Sequence, residues 1–374
     1  LAISYYEKSL EFSPNRPIVF YELGRAFLET GKKSEALEYF DKAISLDSGF
    51  EEAILQKANT LSSLDDYESA IKNCNIILEV NPANVHALYC KATALSYSGM
   101  HDQAISSYDN ILEIMPNHFD AICSKARTLH LLGYYEEALE YFGLSLKANP
   151  KHHDSILGKA TCLLHLGKYT EALSYFDKAL AIHPNNANVL FSKGLALSHL
   201  SNDTQALAYF EKALTIDPNN DTILANIGKS MCNLGKATES LVYFDKALSI
   251  NPKNTTTLHN KGVALATIGK HNDALECFDL VLQIAPTNFD ALCRKAMTLS
   301  VLSRHKDALV YFDKALKISP NDIQVLVNKA ISLYGIGTHE EAISTLNFVL
   351  EAEPQNSYVL YYKARALAAL GKDQ

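Results

Sequence analysis

Thirteen histidines and seven cysteines are the side chains in this sequence best suited to hold a metal or to attack a substrate. His101, His271, His305 and His339 fall at one recurring position, held elsewhere by Tyr67, Tyr135 and Tyr169, and read as residues that pack a turn. His130, His165 and His199 recur near the ends of successive helices and could line a seam. Zinc, however, needs ligand nitrogens within about 2.0–2.1 Å of one ion. Helices packed about 8–10 Å apart rarely bring three short rings together, so no metal site is expected. The cysteines form no Cys-x-x-Cys pair. Cys74 takes a position otherwise filled by a core aromatic ring, and Cys123 and Cys293 point outward with nothing nearby in the sequence to lower their pKa. There is no Gly-x-Ser-x-Gly elbow, no Walker-type loop and no dinucleotide fingerprint. Acidic pairs such as Glu136-Glu137 and Glu340-Glu341 stand in first turns of helices, where they suit the helix dipole. Neither a catalytic residue nor a bound cofactor is expected.

Composition narrows the field further. The 34 Lys+Arg against 42 Asp+Glu leave a net charge of −8, with no positive excess for a phosphate backbone, so nucleic acid is not expected as a partner. A hydrophobic content of 48% is that of a folded chain. No apolar run is long enough to cross a bilayer and the residues from Leu1 do not follow the basic, apolar, small-residue pattern of a leader, so no membrane partner is expected. Scattered cysteines, odd in number, fit a reduced cytoplasmic protein better than a secreted disulfide framework.

What positions all these residues is a period. The 374 residues equal eleven lengths of 34, and no insertion breaks the register. Ten of the eleven prolines share one column, from Pro14 to Pro354, interrupted only at Ser48. A second column holds alanine from Ala2 to Ala342, with Ser240 as its exception. Twelve residues before it, a third holds only glycine or alanine, from Gly24 to Ala364. Within one unit, Leu190, Gly194 and Leu197 mark a first amphipathic helix, and Ala206, Phe210, Ala213 and Leu214 a second. Gly167, Gly235 and Gly269 stand where left-handed helix caps are needed. Pro218 ends the second helix, and Asn219 and Asn220 supply turn and N-cap chemistry for the next. The small columns let paired helices approach closely. The phenylalanines from Phe40 to Phe312 are expected to fill the space between one pair and the next.

This pattern, with stretches such as Tyr209-Phe210-Glu211-Lys212-Ala213-Leu214, resembles the tetratricopeptide repeat over the entire chain. Two departures are the absence of tryptophan and a lysine in place of the usual leucine at nine units, among them Lys57, Lys125, Lys193 and Lys295. The resemblance implies an all-α fold, an α-solenoid of 34-residue helix-turn-helix repeats forming a right-handed superhelix, with first helices lining a concave groove. Residues 1–16 are expected to be a lone second helix, 17–356 ten full repeats, and 357–374 a lone first helix, with no catalytic domain.

The lysine column has two readings: a ladder for an acidic peptide, or stems packed in the helix seam with heads paired to acids such as Asp109, Asp177, Asp245, Asp279 and Asp313. The second is favoured. By the resemblance, ligands lie along the first helices. One column expected to face the groove contains Tyr21, Tyr89, Phe191 and Tyr361, together with Cys123, Ala225 and Val327. Another contains Arg25, Asn59, Arg127, Lys229 and Arg365. The family's carboxylate clamp is not reproduced, because the first of these columns has no lysine. Asn226, Asn260 and Asn328 match the asparagine ladder by which some members hold a peptide backbone. The four aromatic residues, the five polar ones and the three asparagines, twelve candidate site residues, imply a scaffold that binds peptide segments of partner proteins, with aromatic anchors. The alternative is the recruiting arm of a larger enzyme, such as a glycosyltransferase or signalling protein. Both ends present uncapped repeat faces, as in a piece of a longer array, and head-to-tail self-association is a further expectation.

Overall fold

The computed structural model describes residues 2–371, which form 22 α-helices joined by short turns and divide into two units, Leu1–Pro184 and Asn185–Gln374. The first unit begins with α1 (Ala2–Phe12). Five pairs follow: α2 (Pro17–Glu29) with α3 (Lys33–Leu46), α4 (Glu51–Ser62) with α5 (Tyr67–Val80), α6 (Val85–Tyr97) with α7 (His101–Ile114), α8 (Phe119–Leu132) with α9 (Tyr135–Ala148), and α10 (His153–His165) with α11 (Tyr169–Ile182). In the second unit the pairs are α12 (Ala187–His199) with α13 (Asp203–Ile216), α14 (Asp221–Asn233) with α15 (Ala237–Ile250), α16 (Thr255–Thr267) with α17 (His271–Ile284), α18 (Phe289–Val301) with α19 (His305–Ile318), and α20 (Ile323–Ile336) with α21 (His339–Ala352). It closes with α22 (Ser357–Ala369).

Within each unit every helix packs on the next in the chain, and first helices of neighbouring pairs also touch, α6 on α8 and α8 on α10, α16 on α18 and α18 on α20. That is the layout of an α-solenoid, in which each pair buries its apolar stripe only against its neighbours.

Local chemistry sets the helix ends. The side-chain oxygens of Asn84, Asn186, Asn220, Asn254 and Asn288 each accept a hydrogen bond from the backbone N–H three residues on, at 2.9 to 3.2 Å. Each such cap is worth about 1 kcal/mol. At the other end of the first helices, Gly235 adopts a φ of +76°, and Ser303, at the same place in another pair, is held at +58°. Helix α13 stops at Ile216, two residues before Pro218, as the proline column predicts.

The phenylalanine column is the core. Phe40, Phe176, Phe210, Phe244, Phe278 and Phe312 are wholly buried, each contributing about 1.5–3 kcal/mol. A Cβ built on Gly194 would lie 2.5 Å from the Phe210 ring, so the small residue of the first helix receives the ring of its own pair. The rings therefore close their own pair, and they also reach the next one, as Phe244 does in clustering with Ala264 of α16. Phe142 clusters with Ala126 and Leu129 of its own pair and with Cys162 of α10. Its ring reaches forward to α10, where a Cβ on Gly158 would meet it at 2.2 Å.

Candidate functional site

The lysine column turns inward. Lys57 pairs with Asp41 at 2.5 Å, Lys261 with Asp245 at 2.6 Å and Lys329 with Asp313 at 2.7 Å. Lys125 and Lys295 bond Asp109 and Asp279 in the same way, and each also donates to a tyrosine hydroxyl, Tyr141 or Tyr311, at 2.6 Å. The aspartate comes from the second helix of the preceding pair and the tyrosine from that of the lysine's own pair, so one ammonium group ties two second helices together. Burial works against the charge of Lys125 and Lys295, and the bonds to aspartate and tyrosine outweigh it, holding both pKa values above the ordinary lysine value. Ammonium groups so engaged do not form a ladder for a ligand.

The exposed surface of the first helices lies elsewhere. In the first unit, Tyr21 is half-buried, its ring 6.0 Å from Phe40 and 5.2 Å from Phe50, with the Arg25 guanidinium 5.8 Å above it. Arg25 also pairs with Glu22 at 3.3 Å. Tyr89 repeats the arrangement against Tyr108 and His118, and its hydroxyl shares a hydrogen bond with Ser124 at 3.1 Å. Burial pushes both tyrosine pKa values up. Asn59 and Arg127 are exposed.

In the second unit, Phe191 packs half-buried on Phe210 at 5.6 Å. Lys229 is exposed, Tyr361 is 55% exposed, and Arg365 lies over the rings of Tyr334 and Tyr361 at 5.0 and 5.7 Å. The amides of Asn226 and Asn328 donate back to the carbonyls of Thr222 and Gln324, one turn earlier on their own helices. Asn260 stands at the same register, partly exposed. Two members of the aromatic column, Ala225 and Val327, are buried and belong to the seam instead of an open face. The rings of that column are thus partly held in the packing and partly exposed.

Between α8 and α10 this face opens into a cavity of about 320 Å³, walled by Cys123, Arg127, His130, Phe142, His152 and Leu157. The Cys123 thiol lies 3.0 Å from the Ser145 hydroxyl, Ser145 bonds Ser155 at 2.6 Å, and Ser155 bonds His152 Nδ1 at 2.8 Å. His130 Nε2 meets the Thr161 hydroxyl at 3.1 Å. Burial, and after it the neighbouring His165, holds the His130 pKa below the usual histidine range. Nothing in the linear order of residues announced this cluster, because its members lie on three helices and a turn. The repeat register alone could have found it, by aligning Phe142 with Tyr108 and His152 with His118.

Of the three seam histidines, His130 and His165 do meet, with ring centroids 5.9 Å apart, and Tyr135 stacks on His165 at 4.5 Å. His305 packs its ring over Gly335, as a turn-filling residue should. Among the described residues, no three histidine, cysteine or acidic side chains converge tightly enough to hold a metal ion. No described helix is long and apolar enough to cross a membrane.

Family profiles described as tetratricopeptide repeat match residues 17–50, 154–219, 255–288 and 302–366, and one described as anaphase-promoting complex, cyclosome, subunit 3, matches 97–179. The chain belongs to the tetratricopeptide repeat family. Small glutamine-rich tetratricopeptide repeat-containing protein 2 of Mycosarcoma maydis is 30% identical over 83 residues, 22% of this chain and 24% of that relative. The match thus spans about a quarter of the curated relative. Among solved structures, the Cut9–Hcn1 hetero-tetramer of the APC/C gives a TM-score of 0.55 at 16% identity, covering 97% of this chain and 81% of the other. The type IV pilus biogenesis factor PilW gives 0.53 at 22% identity, covering 56% and 97%. At these identities the likeness is one of fold.

Proposed function

We propose that this tetratricopeptide repeat chain is a non-catalytic scaffold that binds peptide segments of partner proteins along the face of its first helices. The observation that carries the reading is the pairing of two kinds of residue on that face. Half-buried rings, Tyr21 on α2, Tyr89 on α6 and Phe191 on α12, are packed against the core, and exposed polar side chains, Asn59 on α4, Arg127 on α8 and Lys229 on α14, stand on the first helices of the pairs that follow. Rings held in place give contact area with little loss of entropy on binding, and the neighbouring polar groups orient a backbone. Asn226, Asn260 and Asn328 would serve the backbone in the second unit by exchanging their local bonds for bonds to a ligand. The same face would serve equally well as the recruiting arm of a larger enzyme.

The test is binding of a fluorescent peptide panel to the full chain. Arg127→Glu and Lys229→Glu change exposed residues and should leave helicity and Tm unchanged. Each is expected to weaken the peptides that bind by about fivefold or more. Unchanged affinity in both variants would move the site off this face.

A further inference from the structure

The cavity between α8 and α10 has a specific origin in the repeat. In the preceding pair, the ring of Tyr89 lies between Tyr108 and His118, with centroids 6.1 and 5.8 Å away. One period later the three residues are Cys123, Phe142 and His152. Phe142 and His152 supply the two flanking rings, and the residue that should come between them is a cysteine. Gly158, the counterpart of Ser124, lines the space and lets the tip of the Phe142 ring press against α10, where a Cβ would meet it at 2.2 Å.

We propose that this cavity receives a phenylalanine ring from a partner's peptide, flanked by a carboxylate that Arg127 takes; the inference rests on the peptide-binding reading above. The ring would complete the stack that Tyr89 completes within the chain one repeat earlier. Phenylalanine is preferred to tyrosine because the hydroxyl groups on the wall are already engaged: Ser124 with Tyr89, Ser155 with Ser145 and His152, and Thr161 with His130. A phenol O–H would have to turn to the Asp154 carboxylate or to His130 Nδ1, which bonds no other group among the described residues, so the Tyr peptide is the nearest competitor in the test. At about 320 Å³ the space is near the lower end of the small-molecule range of about 300–1,000 Å³ and suits one side chain. Arg127 is exposed at the rim, 6.0 Å from the Tyr97 ring, and no carboxylate pairs with it among the described residues, unlike Arg25 with Glu22 or Arg304 with Asp307. Its planar fork is thus open to bidentate bonding. Asp154 stands on the wall contributed by α10, so the peptide's acidic residue belongs on the Arg127 side.

Short synthetic peptides, identical except for Phe, Tyr, Leu or Ala at one position and Asp or Asn beside it, would be titrated by fluorescence anisotropy against the full chain. The Phe-Asp peptide should bind about tenfold or more tighter than its Ala-Asp form. Cys123→Phe places a ring where the column already carries Tyr21, Tyr89 and Phe191, and should abolish that preference while Tm is kept or raised. Should it fail to fold, Cys123→Leu makes the same test with the residue found at Leu55 and Leu157. Arg127→Ala should remove the advantage of Asp over Asn and leave that of Phe over Ala. Peptides that bind without preferring the ring, or that ignore the substitutions at Cys123, overturn the inference and leave the face as a binding surface. A panel in which no peptide binds overturns both.

Discussion

Two pairs of the second unit, α14–α15 and α18–α19, solve the same packing problem with opposite chemistry. In α18, Lys295 is buried between Asp279 and the Tyr311 hydroxyl, and the cation also sits 4.0 Å from the Tyr311 ring centroid. Two repeats earlier, the same position is Ile227, wholly buried. The candidate partners for a cation are present there too, Glu211 and Tyr243 at the corresponding positions. The seam therefore needs a long stem that fills it, and an ammonium group is one of two acceptable ends. Desolvation of a buried ion pair offsets most of its Coulombic gain, which is why a hydrophobic residue can replace it with little change in stability. A rail for acidic peptides would face outward and keep its charge in every repeat. This column does neither, and the binding chemistry lies instead on the aromatic and polar columns of the first helices.

The comparison can be broken most forcefully at what the two pairs share. Phe244→Ala and Phe312→Ala should each lower stability by about 3–5 kcal/mol in urea unfolding. Both rings are wholly buried, so clearly unequal losses would mean that the two seams are not equivalent. Next in size, Lys295→Ala should cost about 1–3 kcal/mol, because it strands Asp279 and the Tyr311 hydroxyl; the partial exposure of Asp279 keeps the loss at that level. Lys295→Ile, copying Ile227, should come back to within about 1 kcal/mol of the parent. An isoleucine variant as weak as the alanine one would show that the charge itself is required.

Smaller effects sharpen the picture. Lys295 has a folded pKa raised above its unfolded value of 10.5. Its pairing therefore stabilises fully below that pH and is lost as pH rises through the folded value. Melts at increasing alkaline pH should fall less steeply for Lys295→Ile than for the parent, and parallel curves would contradict the linkage. Smallest of all, Ser303→Gly should add about 0.5–1 kcal/mol, because Ser303 holds a φ of +58° where the α14–α15 pair uses Gly235. Gly235→Ser should lose a similar amount.

Legibility follows the length scale of the physics. The helix pairs, the proline stops, the asparagine caps at Asn84 and Asn220 and the left-handed turns at Gly167 and Gly235 could be read from the residue order, because each depends on neighbours within about one turn and recurs with the period. The seam role favoured for the lysines, with Asp109, Asp245, Asp279 and Asp313 as partners, agrees with the pairs seen. The phenylalanines were placed between pairs and close their own pair as well, since a column position does not say which of two adjacent helices its ring will meet. Ala225 and Val327 were taken as groove-facing and lie in the seam for the same reason.

Residue order alone settles that this chain is a run of helix pairs of the tetratricopeptide repeat type, because a strict period of 34 residues with small, aromatic and proline columns leaves each segment one low-energy local structure. Tertiary packing decided what the exceptions to the period do. Cys123 in place of a ring, and Gly158 in place of a side chain, are each unremarkable in a one-dimensional reading. Only with α8 laid against α10 do they add up to a cavity floored by Phe142 and rimmed by Arg127, since contacts between residues some 34 positions apart are set by how whole helices pack.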